Sequence, residues 1–163
     1  TKKSFVDGEK FMFFGKIYIL KIEKKLTQNI NIISNNIIIS LIDVENHSII
    51  KNIIRDWYIQ EAKKYLIKTN SYYEKLIGVS VSKLLFGEYK SKWGSCNSNK
   101  IVSYDWRIIM APLEVIHYLV IHELCHIIHP NHSKYFWMNV EKYMKDYKAQ
   151  RKWLKLNSKK LII

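Results

Sequence analysis

The sequence of 163 residues is long enough to bury a hydrophobic core, and its 48% hydrophobic and 13% aromatic content excludes a disordered chain. It contains no apolar run of the ~20 residues that a transmembrane helix needs, and no cleavable signal peptide is visible. The 27 basic and 14 acidic residues give a net charge of +13, which indicates either a polyanionic partner, such as nucleic acid, a nucleotide or an acidic peptide, or a solvated lysine-rich surface.

One domain is predicted over residues 1–163, with a β-rich part over 1–45 and the long helix, a sheet and a metal-binding helix over 46–163. Because the chain starts at a threonine rather than a methionine, a fragment of a longer protein is the alternative to a complete domain. The two cysteines, Cys96 and Cys125, form no C-x-x-C pair, which is typical of a reduced intracellular protein. We therefore expect a cytoplasmic protein with no membrane partner.

The N-terminal part is predicted to form two strand pairs followed by a long helix. A hairpin is expected over residues 5–22, with a turn at Gly15. Two isoleucine-rich clusters within 30–42 predict a second pair of short strands. Residues 46–77 contain neither proline nor glycine and repeat apolar residues at helical spacing, so we expect an amphipathic helix that ends before Gly78.

The second half is predicted to alternate strands and helices. Strands are expected over 79–89 and 101–106, and a loop that contains Trp93–Asn99 connects them. Pro112 suits the first turn of a helix, which is expected to run to Ile128.

The chain is predicted to end in one more helix and a tail. After Pro130 breaks the preceding helix, the spacing of Phe136, Val140 and Met144 predicts a last amphipathic helix, and the tail from Arg151 is basic. Together the elements predict an α+β fold in which a small antiparallel or mixed sheet packs on helices.

The segment His122–His126 has the H-E-x-x-H pattern of zinc hydrolases. Histidines four residues apart on a helix lie roughly 40° apart around its axis, so His122 and His126 can reach one metal ion. Glu123 rises from the same helix beside that ion, where it can accept a proton from a metal-bound water. Four of the six histidines of the chain lie within residues 122–132, which favours a metal site over scattered core or surface histidines.

A hydrolytic zinc site needs a third protein ligand, for which His129 and His132 are the candidates. On a continued helix His129 would lie about 10 Å along the axis from His122, and three imidazoles in one row cannot surround a tetrahedral ion. His132 follows the break at Pro130, so the chain can turn and bring it back over the metal. We therefore predict His132 as the third ligand and His129 as a wall or supporting residue.

Three other side chains bear on the composition of this site. His117 lies about 140° around the helix from His122, so it is expected to point elsewhere. Cys125 is expected in the core. Cys96 in the preceding loop is a less favoured fourth ligand, because a fourth protein ligand would block the position that water needs.

Seven segments spread over nearly the whole chain form a recognisable set: Asp7–Glu9, Phe14–Lys16, Trp93–Cys96, Asp105–Arg107, His122–Trp137, Asp146–Tyr147 and Trp153–Leu154. In this order they resemble the motifs of the YgjP-like metallopeptidase-domain family, whose members are relatives of the SprT-like zinc proteases. The sequence departs from the family pattern at Tyr104, Asp105 and Lys145, which bears on substrate details rather than on the histidines.

The resemblance implies a zincin-like α+β fold with the H-E-x-x-H segment on a central helix. It also implies zinc held by His122, His126 and His132, with Glu123 as the general base. An imidazole-rich set makes zinc the expected cofactor, and Mn, Co and Ni are the other divalent metals that such a set binds.

The predicted activity is zinc-dependent hydrolysis of a peptide bond, in which Glu123 activates a zinc-bound water. In zincins an edge strand beside the metal helix can pair with an extended peptide, and the strand over 101–106 is the candidate for it. Lys92, Trp93 and Arg107 are predicted to bind substrate, the two cations by holding developing negative charge.

Two other functions remain as alternatives. Proteins similar to YgjP are described as metal-dependent hydrolases of nucleoside triphosphates such as UTP, which the net charge suits, although only five glycines are present and no phosphate-binding loop. The other alternative is a basic nucleic-acid-binding module with structural zinc, which the interleaved Lys152, Trp153 and Lys155 favour. Glu123 disfavours it, because a structural zinc site needs no carboxylate between its histidines.

Overall fold

A computed structural model describes residues 2–163 as an α+β fold with two small sheets and four α-helices. The strands and helices have the following bounds: β1 (Lys10–Phe13), β2 (Lys16–Lys24), β3 (Asn29–Ile33), β4 (Asn36–Leu41), α1 (His47–Ile77), β5 (Lys83–Gly87), β6 (Gly94–Cys96), β7 (Ile101–Asp105), α2 (Leu113–Ile128), α3 (Lys134–Tyr143) and α4 (Tyr147–Asn157).

The N-terminal sheet has the strand order β1-β2-β4-β3. The two predicted strand pairs, β1 with β2 and β3 with β4, are confirmed and are antiparallel. The parallel pairing of β2 with β4, in which Leu20 lies opposite Ile37, was not predicted. Both side chains are fully buried, so this pairing is held by the core rather than by a local turn.

The long helix α1 confirms its sequence prediction to within one residue. It begins after Asn46, whose side chain accepts a hydrogen bond from the backbone N–H of Ile49, and it ends at Gly78 in the left-handed conformation (φ 81°). Its buried side chains recur at helical spacing, and Tyr58 donates a hydrogen bond of 2.7 Å to the carbonyl of Met12 in β1. The helix is therefore the element on which the first sheet packs.

The second sheet has the order β5-β7-β6, with β5 parallel and β6 antiparallel to β7. The prediction that the strand over 101–106 forms the open edge is wrong, because β7 is paired on both sides and β6 is the edge strand beside α2. The predicted strand over 79–89 is shortened to β5. The loop prediction for Trp93–Asn99 missed β6, because its three residues, glycine, serine and cysteine, lack a strong strand preference and pair only through β7.

The turn of the first hairpin holds the beginning of α2. The backbone N–H groups of Phe14 and Gly15 donate to the carbonyls of Ile109 and Met110, at 2.9 and 2.8 Å. Gly15 has a φ of +76°, and a Cβ there would lie 2.9 Å from Cγ of Pro112, so only glycine fits this contact. The helix that carries His122 and His126 is thus fixed at its N-terminal end by the first sheet.

Helix α2 packs against α1, α3, α4 and β6, and Val115, Leu119, Ile121 and Leu124 are among its buried residues. The predicted last helix is α3, which begins after the capping residue Ser133. Helix α4 was not predicted, because the apolar residues of the basic tail were not recognised as one face of a helix that begins at Tyr147. Among residues 2–163, no helix is both long enough and apolar enough to cross a lipid bilayer.

Candidate metal centre

Three histidine side chains converge at the C-terminal end of α2. His122 and His126 lie one turn apart on the helix, and His132 reaches back from the segment between α2 and α3. Nε2 of His132 lies 3.0 Å from Nε2 of His126 and 3.2 Å from Nε2 of His122. Among the described residues this is the one group of at least three histidine, cysteine or acidic side chains close enough to hold a metal ion.

Hydrogen bonds on the far side of two rings orient them towards this point. Nδ1 of His126 lies 3.1 Å from the backbone carbonyl of His129, which can only accept, so Nδ1 carries the proton and Nε2 presents its lone pair. The hydroxyl of Tyr118 lies 3.2 Å from Nδ1 of His122, and this contact holds the His122 ring with its Nε2 towards the other two histidines.

Aromatic rings of α3 support the histidine cluster. Phe136 stacks on His126 with 4.4 Å between ring centroids and 18° between planes. Trp137 lies nearly parallel to His132 at 5.7 Å. Because Ser133 caps α3, the backbone turn that follows His132 also places these two rings.

The donor set fits a divalent cation. Burial, together with the neighbouring His126 and His132 and the charge of Arg151, lowers the pKa of His122 to about 3, and burial also lowers the pKa of His126. Both are therefore neutral near pH 7, the form that binds metal. In a tetrahedral zinc site with bonds of ~2.0–2.1 Å the ligand nitrogens lie about 3.3 Å apart, close to the two Nε2 spacings seen here. A cation placed between the three nitrogens would bind their lone pairs together.

Glu123 is buried beside the histidines, with 4% of its surface exposed. Burial raises the pKa of its carboxyl to about 8, and the charge of Lys92 opposes that shift. The backbone of Gly94 in β6 lies directly against it, since a Cβ on Gly94 would be 2.8 Å from Oε2 of Glu123. A cation held by the neighbouring histidines would favour the ionised carboxylate.

The three predicted substrate-binding residues, Lys92, Trp93 and Arg107, line one cavity of about 630 Å³. None of the three histidines lines this cavity; its connection to the site is Trp93, the residue before Gly94, whose backbone lies against Glu123. Lys92 is exposed, and its Nζ lies 4.6 Å from the ring centroid of Tyr89 and donates to Oγ of Ser95 at 3.4 Å. It forms no salt bridge among the described residues, and its role in substrate binding stays a prediction.

Trp93 and Arg107 are both held by other parts of the chain. The indole N–H of Trp93 donates to Oγ of Ser158 at 3.2 Å. Arg107 forms a two-pronged pair with the fully buried Asp105, at 2.9 Å from Nε to Oδ1 and 2.6 Å from Nη2 to Oδ2. Arg107 also donates to the carbonyl of Tyr89, so it joins β7 to the wall of the cavity.

Replacement of Arg107 by methionine should destabilise the fold by about 3–5 kcal/mol, because it leaves the Asp105 carboxylate buried without its cation. The matched control is Arg55→Met, which removes an arginine from the exposed pair with Glu88 and should cost less than about 1 kcal/mol. Urea denaturation of both variants measures the difference. Equal midpoints would show that the Asp105 pair does not hold the fold.

Sequence reasoning missed several residues of the site. Tyr118 lies four residues before His122, and this helical spacing is a signal that could have found it. Phe136 lies in the first turn of the predicted last helix, directly after the segment that contains His132, and this position could have found it. Gly94 gave no such signal, because its contact with Glu123 joins two elements far apart in sequence.

The other predictions for the site have clear positions in the structure. His129 contributes its backbone carbonyl rather than its ring. His117 points away from the cluster, and its two ring nitrogens contact the hydroxyls of Tyr65 and Tyr73, at 2.7 and 2.8 Å. Cys125 is buried in the core, and Cys96 is half-buried outside the histidine group.

Comparison with known proteins identified a family and several similar solved structures. The model of the YgjP-like metallopeptidase domain matches residues 1–157. The crystal structure of the metallopeptidase zymogen of Pyrococcus abyssi abylysin is similar with a TM-score of 0.50 and 21% identity, over 56% of this chain and 94% of that one, and this likeness shows a shared fold. The metallopeptidase zymogen of Methanocaldococcus jannaschii jannalysin gives a TM-score of 0.48 and 20% identity, over 60% and 97% of the two chains. A search of curated proteins found no match.

Proposed function

Because the chain belongs to the YgjP-like metallopeptidase-domain family, we propose that it is a zinc-dependent peptidase built as one domain over residues 1–163. In this proposal His122, His126 and His132 hold the metal, and Glu123 is the general base. Family membership supports a metal-dependent hydrolase. The observation that supports the finer assignment is the convergence of three Nε2 atoms beside a buried carboxyl group.

A bound zinc ion supplies a Lewis acid that lowers the pKa of water at the site towards ~7 and polarises the carbonyl under attack. The carboxylate of Glu123 accepts a proton from the attacking water oxygen. The same carboxyl then delivers this proton to the leaving nitrogen as the C–N bond breaks. Burial of Glu123 excludes bulk water, so the transferred proton stays with the reacting groups.

The free edge of β6 supports a peptide as the substrate. The N–H of Asp105 donates to the carbonyl of Trp93, and the N–H of Asn97 donates to the carbonyl of Ile101, so alternate residues of this strand face β7. The peptide groups of Gly94 and Cys96 therefore face the open edge, where an extended peptide can add as a further strand. Because Gly94 lies against Glu123, a peptide paired there would pass beside the general base.

The two alternatives have less support. Hydrolysis of UTP or another nucleoside triphosphate uses the same metal site, but neither the family nor the fold favours it. Binding of nucleic acid around a structural zinc leaves the buried carboxyl of Glu123 without a role. A cytoplasmic location is proposed from the cysteine usage alone.

The test is hydrolysis of a quenched-fluorescence peptide library by protein stripped with a chelator and reloaded with zinc. We expect cleavage to stop on stripping and to return with one zinc per chain, while a panel of nucleoside triphosphates is not hydrolysed. His132→Ala should lower zinc affinity by more than about 100-fold. Loss of a residue that only hydrogen-bonds to a zinc ligand typically lowers metal affinity by about 10–100-fold, and loss of a ligand itself should lower it further.

His129→Ala is the matched control for that variant, since the structure uses only the backbone carbonyl of His129. It should retain zinc and activity. Release of phosphate or pyrophosphate from nucleotides without cleavage of any peptide would overturn the peptidase assignment. Full zinc binding by His132→Ala would overturn the ligand assignment.

A further inference from the structure

Helix α4 presents an exposed face that carries only positive charge. Four cationic side chains, one residue or one turn apart along the helix, line a common pocket with a volume of about 380 Å³: Lys148, Arg151, Lys152 and Lys155. The helix contains no acidic residue, and within residues 2–163 none of these four side chains forms a salt bridge. Asp146, the nearest acidic residue in sequence, accepts a hydrogen bond from Gln150 instead.

Arg151 connects this basic face to the histidine cluster. Its guanidinium carbon lies 4.6 Å from the ring centroid of Trp137. The same ring lies 5.7 Å from the ring of His132 and 5.6 Å from the ring of His122. The guanidinium is therefore within roughly 10 Å of the His132 ring, which is about three residues of an extended peptide at ~3.3 Å per residue.

The position of Arg151 is fixed by aromatic packing. Tyr147, one turn earlier on α4, is buried and stacks on Trp137 at 5.3 Å with 16° between the planes. An arginine over a ring uses the face of its guanidinium, so its N–H groups stay available at the edge. That planar set of donors matches a carboxylate, which it can bind through two hydrogen bonds.

We propose that Arg151, supported by Lys148, Lys152 and Lys155, binds a carboxylate of the substrate within about three residues of the scissile bond, so that acidic peptides are preferred. This inference rests on the proposed peptidase function. The carboxylate comes from a glutamate or aspartate side chain or from the C-terminus of the peptide. The three lysines add a field that attracts acidic segments before contact, an effect that salt weakens.

The experiment compares zinc-loaded protein on matched peptides. Each pair differs only by Glu or Gln at one position within three residues of the cleaved bond, and a second pair differs only by a free or an amidated C-terminus. We expect kcat/KM to be at least about 10-fold higher for the acidic member of one pair, as a charge-assisted hydrogen bond implies. The pair that shows the preference identifies the source of the carboxylate.

In Arg151→Gln this preference should fall to near 1, with zinc content unchanged, and Arg151→Lys should recover part of it. Lys64→Gln removes one exposed positive charge from α1 and is the control, which should keep the preference. Cleavage without any preference for the acidic peptide, or a preference that survives in Arg151→Gln, would overturn this inference and leave the peptidase function intact.

Two further outcomes also count against the proposal. Cleavage of no peptide at all would overturn both the peptidase function and this inference. The basic face is also tested with a labelled single-stranded oligonucleotide. Equal cleavage of Glu and Gln peptides, together with oligonucleotide binding that Arg151→Gln abolishes, would assign the face to nucleic acid instead.

Discussion

Glu123→Gln should lower zinc-dependent peptide hydrolysis by about 10²–10⁴-fold, the range that general acid–base catalysis contributes. Glutamine has the same shape, so it preserves the contact with Gly94 and the packing around α2. It cannot take a proton from water or return one to the leaving nitrogen. Because the three histidines are untouched, the variant should still bind one zinc per chain.

The measurement is kcat for a cleaved peptide, with zinc content determined on the same samples. Glu114→Gln is the matched control, because Glu114 lies exposed in the first turn of the same helix. It should keep the activity of the unmodified chain. Full activity in Glu123→Gln would mean that another group is the base, whereas loss of zinc would mean that Glu123 acts by holding the histidines.

The part of the site that lies within one helix was predictable from sequence. The spacing of His122 and His126 is a local property of α2, and Pro130 supplied a local reason for the chain to turn before His132. The structure brings all three together, as the sequence analysis expected. Their role as zinc ligands stays a proposal until metal binding is measured.

The long-range parts of the fold were not predictable in the same way. Strand β6 has only three residues and no hydrophobic alternation, so its existence depends on the pairing with β7. The parallel pairing of β2 and β4 depends likewise on burial of residues far apart in sequence. A single chain carries a strong signal for a long helix such as α1 and a weak one for short strands that form only in the folded protein.

The basic tail illustrates a different limit. Its positive charge was predicted correctly from the lysines. The helical spacing that places Tyr147 and Arg151 one turn apart was not recognised among them. Only the structure shows that these two residues meet Trp137, and through it the histidine cluster. A tail that was predicted only to be basic, with nucleic-acid binding as the alternative, therefore becomes a candidate determinant of substrate choice.

Gly94→Ala should lower kcat by about 100-fold while KM, zinc content and stability change little. The added Cβ would lie 2.8 Å from Oε2 and 3.0 Å from Cγ of Glu123, so one of the two must move. The end of a side chain moves more easily than paired strand backbone, so we expect the carboxyl to shift. A displacement of ~1 Å at a catalytic group can cost about 10²-fold in rate.

The separation of kcat from KM distinguishes positioning from binding. Alanine keeps the N–H and C=O groups that face the open edge of β6, so a peptide can still pair there. Gly87→Ala is the matched control, because Gly87 lies in β5 of the same sheet and a Cβ there would be 3.0 Å from the Tyr89 hydroxyl, not near Glu123. Unchanged kcat in Gly94→Ala would show that the site tolerates displacement of Glu123, and loss of zinc or of the fold would show that Gly94 supports more than the carboxyl. If kcat alone falls, the edge strand that is positioned to bind the peptide also positions the base that cleaves it.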